Sequence, residues 1–186
     1  MHKPTPVSLS WYIGFGYTTG LSAIDYFLAD PTLVPEGSEH LFAEKVWKID
    51  YPCYSIYLPD TTVMGPVNPL PALTNGFVTF GSLTRSIRLN DRVIKTWSNI
   101  LKKVPHSKLI IDSKSFQNDE ARENFIKKFE LNGITKDRLD ICFNSPPWDT
   151  LRKIDIGLDC FPHNSGTTLV EHLYICLLYT SPSPRD

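Results

Sequence analysis

The chain has 186 residues, of which 41% are hydrophobic and 21% charged, as in ordinary globular proteins with one large domain or two small ones. Its formal net charge of −1 argues against a general nucleic-acid-binding protein, because such proteins usually carry a large excess of Lys and Arg. No apolar run reaches the roughly 20 residues of a membrane-spanning helix, and the N-terminus lacks the apolar core of a secretory signal. The four cysteines lack metal-ligand or disulfide-framework spacing, so we expect a reduced, cytoplasmic protein.

The first 58 residues combine short apolar runs with turn residues. Strands are predicted at 7–11, 24–30 and 54–58, a glycine-rich turn at 14–20, and a short helix after Ser38. From residue 59 to residue 75 the chain is dominated by Pro, Thr, Asn and Gly. That composition predicts a linker between two lobes.

After residue 76, strand-like and helix-like patterns alternate. Strands are predicted at 77–80, 109–111, 139–143 and 154–158, and helices from about 90 to 104, 119 to 131, 147 to 151 and from Gly166 onward. This alternation predicts an α/β fold: a Rossmann-like parallel sheet with helices on both faces. Because ligands of such sheets lie beyond the carboxyl ends of the strands, the loops 81–90 and 160–166 are expected to meet at one site.

The strand at 154–158 leads through a loop of small residues into a helix that opens at Gly166, Thr167 and Thr168. The first turn of a helix has unpaired N–H groups and the positive end of the helix dipole, which suit a diphosphate. Glu171 lies one turn further on the same side, where a carboxylate could accept hydrogen bonds from ribose hydroxyls. These residues predict a nucleotide-sugar site, although the same pattern also serves as a simple helix cap. Asp159 is a candidate cap for the loop.

Several ordered motifs resemble a known family. They are Val78-Thr79-Phe80-Gly81-Ser82, Trp97-Ser98-Asn99-Ile100-Leu101, Val104-Pro105, the strand 154–159, and Asn164-Ser165-Gly166-Thr167-Thr168 with Glu171. Together they resemble the C-terminal catalytic region of the O-linked N-acetylglucosamine transferase family, which includes the SPINDLY proteins and bacterial relatives. The segment from Pro4 to Pro31 resembles the end of that family's first catalytic lobe.

The resemblance implies part of a two-lobed, B-type glycosyltransferase with an incomplete first lobe and a truncated second lobe. The expected divisions are a remnant of the first lobe at 1–58, the interlobe linker at 59–75, the nucleotide-sugar lobe at 76–175 and a non-native tail at 176–186. The tail ends in Ser-Pro-Ser-Pro, which cannot continue a helix, and resembles a translated sequencing adapter.

The same resemblance implies roles for six residues in donor binding. Thr167 and Thr168, with Gly166, match the positions that contact the donor diphosphate, and Glu171 matches an acidic position that holds the ribose. Arg88 occupies the place of a phosphate-binding lysine, and Arg85 that of an amide near the nucleotide. No metal or cofactor other than the donor is implied, and no catalytic residue is assigned within this chain.

The implied reaction is transfer of a sugar, N-acetylglucosamine above all, from a UDP-sugar to protein Ser and Thr hydroxyls. Upstream tetratricopeptide repeats would select the protein acceptor, and neither a nucleic acid nor a membrane is an expected partner. Since the base candidates of relatives lie upstream, we expect this chain alone to be inactive. The alternatives are a non-catalytic nucleotide-binding or scaffold module and a nucleotide-sugar epimerase.

Overall fold

In the computed structural model of the chain, the apolar residues spaced three and four apart after Asn90 form helix α3 (Asp91–Lys103). The side chain of Asn90 accepts a hydrogen bond from the N–H of Val93 and so caps the first turn. Four residues of its apolar stripe are buried: Val93, Ile94, Trp97 and Leu101. Helix α4 (Asp119–Leu131) starts in the same way at Asn118. Both predicted helices are confirmed.

The structure describes residues 3, 5–11, 17–50, 62–175 and, for the backbone alone, 61 and 178–180. The chain divides into two compact units, Met1–Leu58 and Pro59–Asp186. Across the described segments, none of the helices combines the length and the apolar character that crossing a bilayer requires.

The first unit contains a parallel three-stranded sheet in the order β1-β2-β3. Its strands are β1 (Leu9–Ser10), β2 (Tyr26–Ala29) and β3 (Lys45–Lys48), and a 3-10 turn follows Ser38. β3 was not predicted, because a strand with lysines at both ends shows little apolar alternation of its own. The strand predicted at 54–58 lies outside the described residues.

The second unit contains a parallel five-stranded sheet in the order β6-β5-β4-β7-β8. The strands are β4 (Thr79–Ser82), β5 (Lys108–Asp112), β6 (Leu139–Cys142), β7 (Ile156–Leu158) and β8 (Leu178–Thr180). The remaining helices are α1 (Thr61–Met64), α2 (Pro71–Asn75), α5 (Trp148–Leu151) and α6 (Thr167–Tyr174). The parallel sheet is confirmed, with β4 two residues later than predicted.

Helices cover both faces of this sheet, as predicted. One face packs against α3 and α4 around Trp97 and Phe129, and the other packs against Met64, Leu151 and Ile175. The central strand β4 needs a glycine at position 81, because a Cβ atom there would lie 2.2 Å from the Ile154 side chain. The segment that leads into β7 therefore packs closely against the middle of β4.

Two segments differ in structure from what their composition suggested. Residues 61–75, within the predicted linker, contain α1 and α2 and belong to the second unit, where Met64 is fully buried. The backbone of Leu178–Thr180, within the predicted tail, pairs with β7. The lobe boundaries and the non-native origin of the tail remain predictions.

Candidate functional site

The loops that follow β4, β5 and β6 border a cleft of about 720 Å³ together with helix α6. Since all strands are parallel, these loops emerge at the same, carboxyl edge of the sheet. The loop after β4 contributes Arg85 and Ile87, and helix α6 contributes Thr168 and Glu171. The end of β5 and the loops after β5 and β6 supply further residues, which include Asp112, Ser113, Lys114, Gln117, Phe143 and Asn144. The cleft therefore lies where a parallel α/β sheet binds its ligands.

The loop after β4 folds into a 3-10 turn, Ser86–Arg88, which is tied to two other loops. The N–H of Ser86 donates to the hydroxyl of Ser113, after β5, at 3.3 Å. The Nη1 of Arg88 donates to the carbonyl oxygen of Asn164, after β7, at 3.2 Å. The loops 81–90 and 160–166 thus contact each other, as predicted, although no residue of 160–166 lines the cleft.

The loop after β7 is organised around the buried carboxyl group of Asp159. Its Oδ1 accepts from the N–H groups of Cys160 and Ser165, each at 2.9 Å, so the prediction that Asp159 caps this loop is confirmed. The thiol of Cys160 donates to the carbonyl oxygen of His163 at 2.9 Å. Burial raises the pKa of Cys160, so this thiol stays protonated and acts as a structural donor rather than a nucleophile.

Helix α6 begins directly after this loop, with Gly166 as its N-cap residue. No side chain caps the helix, and a Cβ atom on Gly166 would meet nothing within 4 Å. Thr167 is exposed, whereas Thr168 is half-buried and borders the cleft with Glu171. The N–H groups of the first turn are thus reached from open space, the arrangement that binds anions at helix starts.

The next residue along α6, His172, faces the interior. It is 2% exposed, and its Nδ1 lies 2.6 Å from the carbonyl oxygen of Thr168. Burial lowers the pKa of His172, although the contact with Thr168 and the nearby Asp159 act in the opposite direction. A neutral imidazole therefore packs beneath the residues that border the cleft.

The residues after β5 and β6 were missed by the sequence analysis. Asp112, at the end of β5, is 5% exposed and accepts from both the N–H and the side-chain amide of Asn144, at 3.0 and 3.1 Å. The same amide donates to the hydroxyl of Thr150 at 2.9 Å. The exposed Lys114 follows, at the start of a 3-10 turn, and adds a cation. Polar residues directly after an apolar strand were the signal that could have identified this part of the cleft.

The six residues predicted for donor binding are therefore divided by the structure. Arg85, Thr168 and Glu171 border the cleft. Arg88, Gly166 and Thr167 are not among its lining residues. Arg88 instead fastens the loop after β4 to the loop that precedes α6, where Gly166 and Thr167 start the helix.

The first unit has its own buried carboxyl group, that of Glu44. It accepts from the Thr18 hydroxyl at 2.6 Å, from the Thr19 N–H at 2.7 Å and from the Thr19 hydroxyl. Burial raises the pKa of Glu44, but these hydrogen bonds outweigh burial and lower it overall. Glu44 thus fixes the end of the glycine-rich segment.

Metal-binding side chains do not cluster in the parts of the chain described by the structure, where no group of three or more His, Cys, Asp and Glu residues could hold an ion. Burial, together with the nearby Asp140 and Asp112, raises the pKa of Cys142 to about 12. Neither Cys142 nor Cys160 therefore provides a thiolate ligand near the cleft at neutral pH.

Known proteins match both the sequence and the fold. The chain is 37% identical over 179 residues to the probable UDP-N-acetylglucosamine–peptide N-acetylglucosaminyltransferase SPINDLY of Petunia hybrida. That alignment covers 93% of this chain, and the chain spans only about a fifth of the relative, 19% of its length. No family model matches the sequence.

Two solved structures share the fold. A mutant O-GlcNAc transferase of Thermobaculum terrenum superposes with a TM-score of 0.77 at 28% identity, over 96% of this chain and 34% of that one. An Anabaena protein in complex with UDP and glucose gives a TM-score of 0.53 at 13% identity, over 84% of this chain and 44% of that one, which supports the fold alone. Over the residues that align, the chain is similar to the SPINDLY and O-GlcNAc transferases, and its fold is that of the B-type glycosyltransferases.

Proposed function

We propose that the cleft of the second unit binds the nucleotide diphosphate of a UDP-sugar, as part of a glycosyltransferase that acts on protein Ser and Thr hydroxyls. One observation carries this proposal: Arg85, Thr168 and Glu171 border a single cleft of about 720 Å³ at the carboxyl edge of the sheet. The SPINDLY relative is named for transfer of N-acetylglucosamine from UDP to a peptide, which supports that sugar and that acceptor class.

The charges around the cleft suit a diphosphate. Arg85 and Lys114 are exposed cations on different loops, and the uncapped start of α6 adds N–H donors next to Thr168. When a sugar leaves its nucleotide, negative charge grows on the diphosphate, and donors already in position stabilise that charge without reorganising. We propose that Arg88 acts on the same group through its fixed position beside the loop that precedes Gly166 and Thr167.

The acidic residue of the cleft has a separate role. Glu171 lies one turn after Thr167 on α6, so its carboxyl group is displaced along the helix from the anion-binding first turn. A carboxylate would repel a phosphate but accepts hydrogen bonds from two neighbouring hydroxyls. We therefore propose that Glu171 holds the ribose.

The wider setting of the proposal follows from the family. Selection of the acceptor by tetratricopeptide repeats is implied by the resemblance and remains a prediction. A cytoplasmic location is supported by the free cysteines Cys142 and Cys160, since reduced thiols are the usual state in that compartment.

Calorimetric titration of the intact chain with UDP, and separately with GDP, tests the donor site. We expect binding of UDP, and we expect the double variant Thr167→Ala/Thr168→Ala to lose about 1–3 kcal/mol of binding free energy, the scale for hydrogen bonds to a charged group. Thr96→Ala is the matched control, because this exposed threonine bonds only within α3, to the carbonyl oxygen of Arg92. Unchanged affinity in the double variant would remove both threonines from the site, and binding of GDP alone would overturn the uridine assignment.

A further inference from the structure

Ile87 is an exposed aliphatic residue at the border of the cleft. Its side chain is 83% exposed, although isoleucine is among the residue types most often buried. The next large apolar residue, Leu89, is 4% exposed and belongs to the main core. The turn therefore buries one of its apolar residues and directs the other toward solvent.

Hydrogen bonds on both sides of Ile87 hold it in this position. Ser86 is bonded through its N–H to the loop after β5, and Arg88 is bonded through its guanidinium to the loop before α6. Within the turn, the N–H of Arg88 donates to the carbonyl oxygen of Arg85 at 2.9 Å. Ile87 therefore cannot turn into the core without breaking contacts that join three loops.

The position of Ile87 near the cations indicates which part of a bound sugar nucleotide its side chain can contact. It lines the same cleft as Arg85 and Thr168, and it lies between two arginines in sequence. A diphosphate offers an aliphatic side chain no apolar surface, whereas the C–H faces of a sugar ring do. Glu171 is proposed to hold the ribose, and the transferred sugar must be reachable by an acceptor, which a position beside the exposed Ile87 permits.

We infer that Ile87 is a specificity-determining residue that packs against the sugar of the bound donor. This inference rests on the proposed donor site and deepens it, because it assigns the hexose to a named residue at the rim. Packing removes apolar surface from water on both partners, and it does so only when the sugar is present.

Calorimetric titration of the intact chain with UDP and with UDP-N-acetylglucosamine tests the inference. The variant Ile87→Ala should bind UDP-N-acetylglucosamine about three- to tenfold more weakly, since a few buried methyl and methylene groups are lost. Its affinity for UDP should equal that of the wild type. Ile87→Leu keeps the apolar area and should retain most of the affinity for the sugar nucleotide.

Leu131→Ala is the matched control, because Leu131 is 88% exposed at the end of α4 and does not border the cleft. Thermal melting should show that all three variants fold as the wild type does. Equal weakening toward both ligands would mean that Ile87 contacts the nucleotide and would overturn the sugar assignment, as would an unchanged affinity for both. If the wild-type chain binds neither ligand, the proposed donor site fails first and the role of Ile87 fails with it.

Discussion

Two buried carboxyl groups lie at opposite ends of the same strand, β7, and perform different tasks. Asp155 precedes the strand and accepts from the N–H groups of Ala72 and Thr79, both at 2.8 Å. Asp159 follows it and accepts from the N–H groups of Cys160 and Ser165, both at 2.9 Å. Each side chain is less than 5% exposed.

The difference lies in what each group connects. Asp155 bonds to residues 76 and 83 positions away in sequence. It therefore holds the start of α2 and the start of β4 next to the start of β7. Asp159 joins residues one and six positions ahead, so it shapes a single loop on the ligand side. The same interaction, a buried carboxylate that accepts from two backbone N–H groups, therefore has two uses. At the amino edge of the sheet Asp155 helps to assemble the fold, and at the carboxyl edge Asp159 shapes the site.

The largest expected effect is on Asp155. The variant Asp155→Ala leaves the buried N–H of Thr79 and the half-buried N–H of Ala72 without their acceptor. It should lower the free energy of unfolding of the second unit by about 2–4 kcal/mol, as measured by urea denaturation. Asp155→Asn keeps one acceptor oxygen and should lose less. At temperatures where the variant is folded, its affinity for UDP should match that of the wild type. A stable Asp155→Ala chain with impaired binding would contradict the division between the two edges.

A smaller loss of stability is expected at Asp159, together with a loss of binding. Asp159→Asn keeps an oxygen but adds an amide donor in a place that contains N–H donors, so the free energy of unfolding should fall by about 1–2 kcal/mol. Because the loop leads directly into Gly166 and Thr167, affinity for UDP should fall about tenfold or more, about 1.4 kcal/mol, by calorimetry. A variant that loses stability and binds UDP normally would show that this loop does not shape the site.

The smallest expected effect is a pH dependence from His172. Because burial lowers its pKa, the folded chain disfavours the imidazolium more than the unfolded chain does. The contribution to stability is thus complete above the unfolded pKa of about 6.5 and is lost as the pH falls through that value toward the folded pKa. Urea denaturation at about pH 7.5 and about pH 5.5 should show this loss.

The variant His172→Gln tests whether His172 causes this pH dependence of stability. It should reduce the difference in stability between the two pH values, whatever its effect at either pH alone. Carboxyl groups such as Glu44, whose pKa is lowered, lose their contribution only at more acidic pH and serve as an internal reference. An identical pH dependence in the variant would exclude His172 as the source.

Local patterns were sufficient to predict most elements of the second unit. The pattern of apolar residues predicted α3 and α4, because a helix is determined by contacts three and four residues apart. The structure adds that Asn90 and Asn118 cap these helices. The strand β3, with its terminal lysines, was missed because its pairing with β2 supplies what its own alternation lacks. The helices at 61–75 were missed because Met64 is buried by partners far away in sequence.

The candidate site divides in the same way. Thr168, Glu171 and Arg85 were predicted from local motifs and the resemblance, and they border the cleft. Asp112 and Lys114 were not predicted, since they enter the cleft only because β5 lies next to β4 in the sheet. The role of Arg88 as a bond between two loops likewise depends on the neighbouring position of β7.

The sequence by itself determined the alternation of strands and helices, the parallel fold that this alternation requires, and the helix start that suits a phosphate. Those properties arise from interactions between residues close together in the chain. Only the tertiary structure decided which loops share the cleft, which arginine borders it and which isoleucine is directed toward solvent. Those properties depend on the order of strands in the sheet, which brings together residues that are distant in sequence. The residues next to them in the chain give no information about these distant contacts.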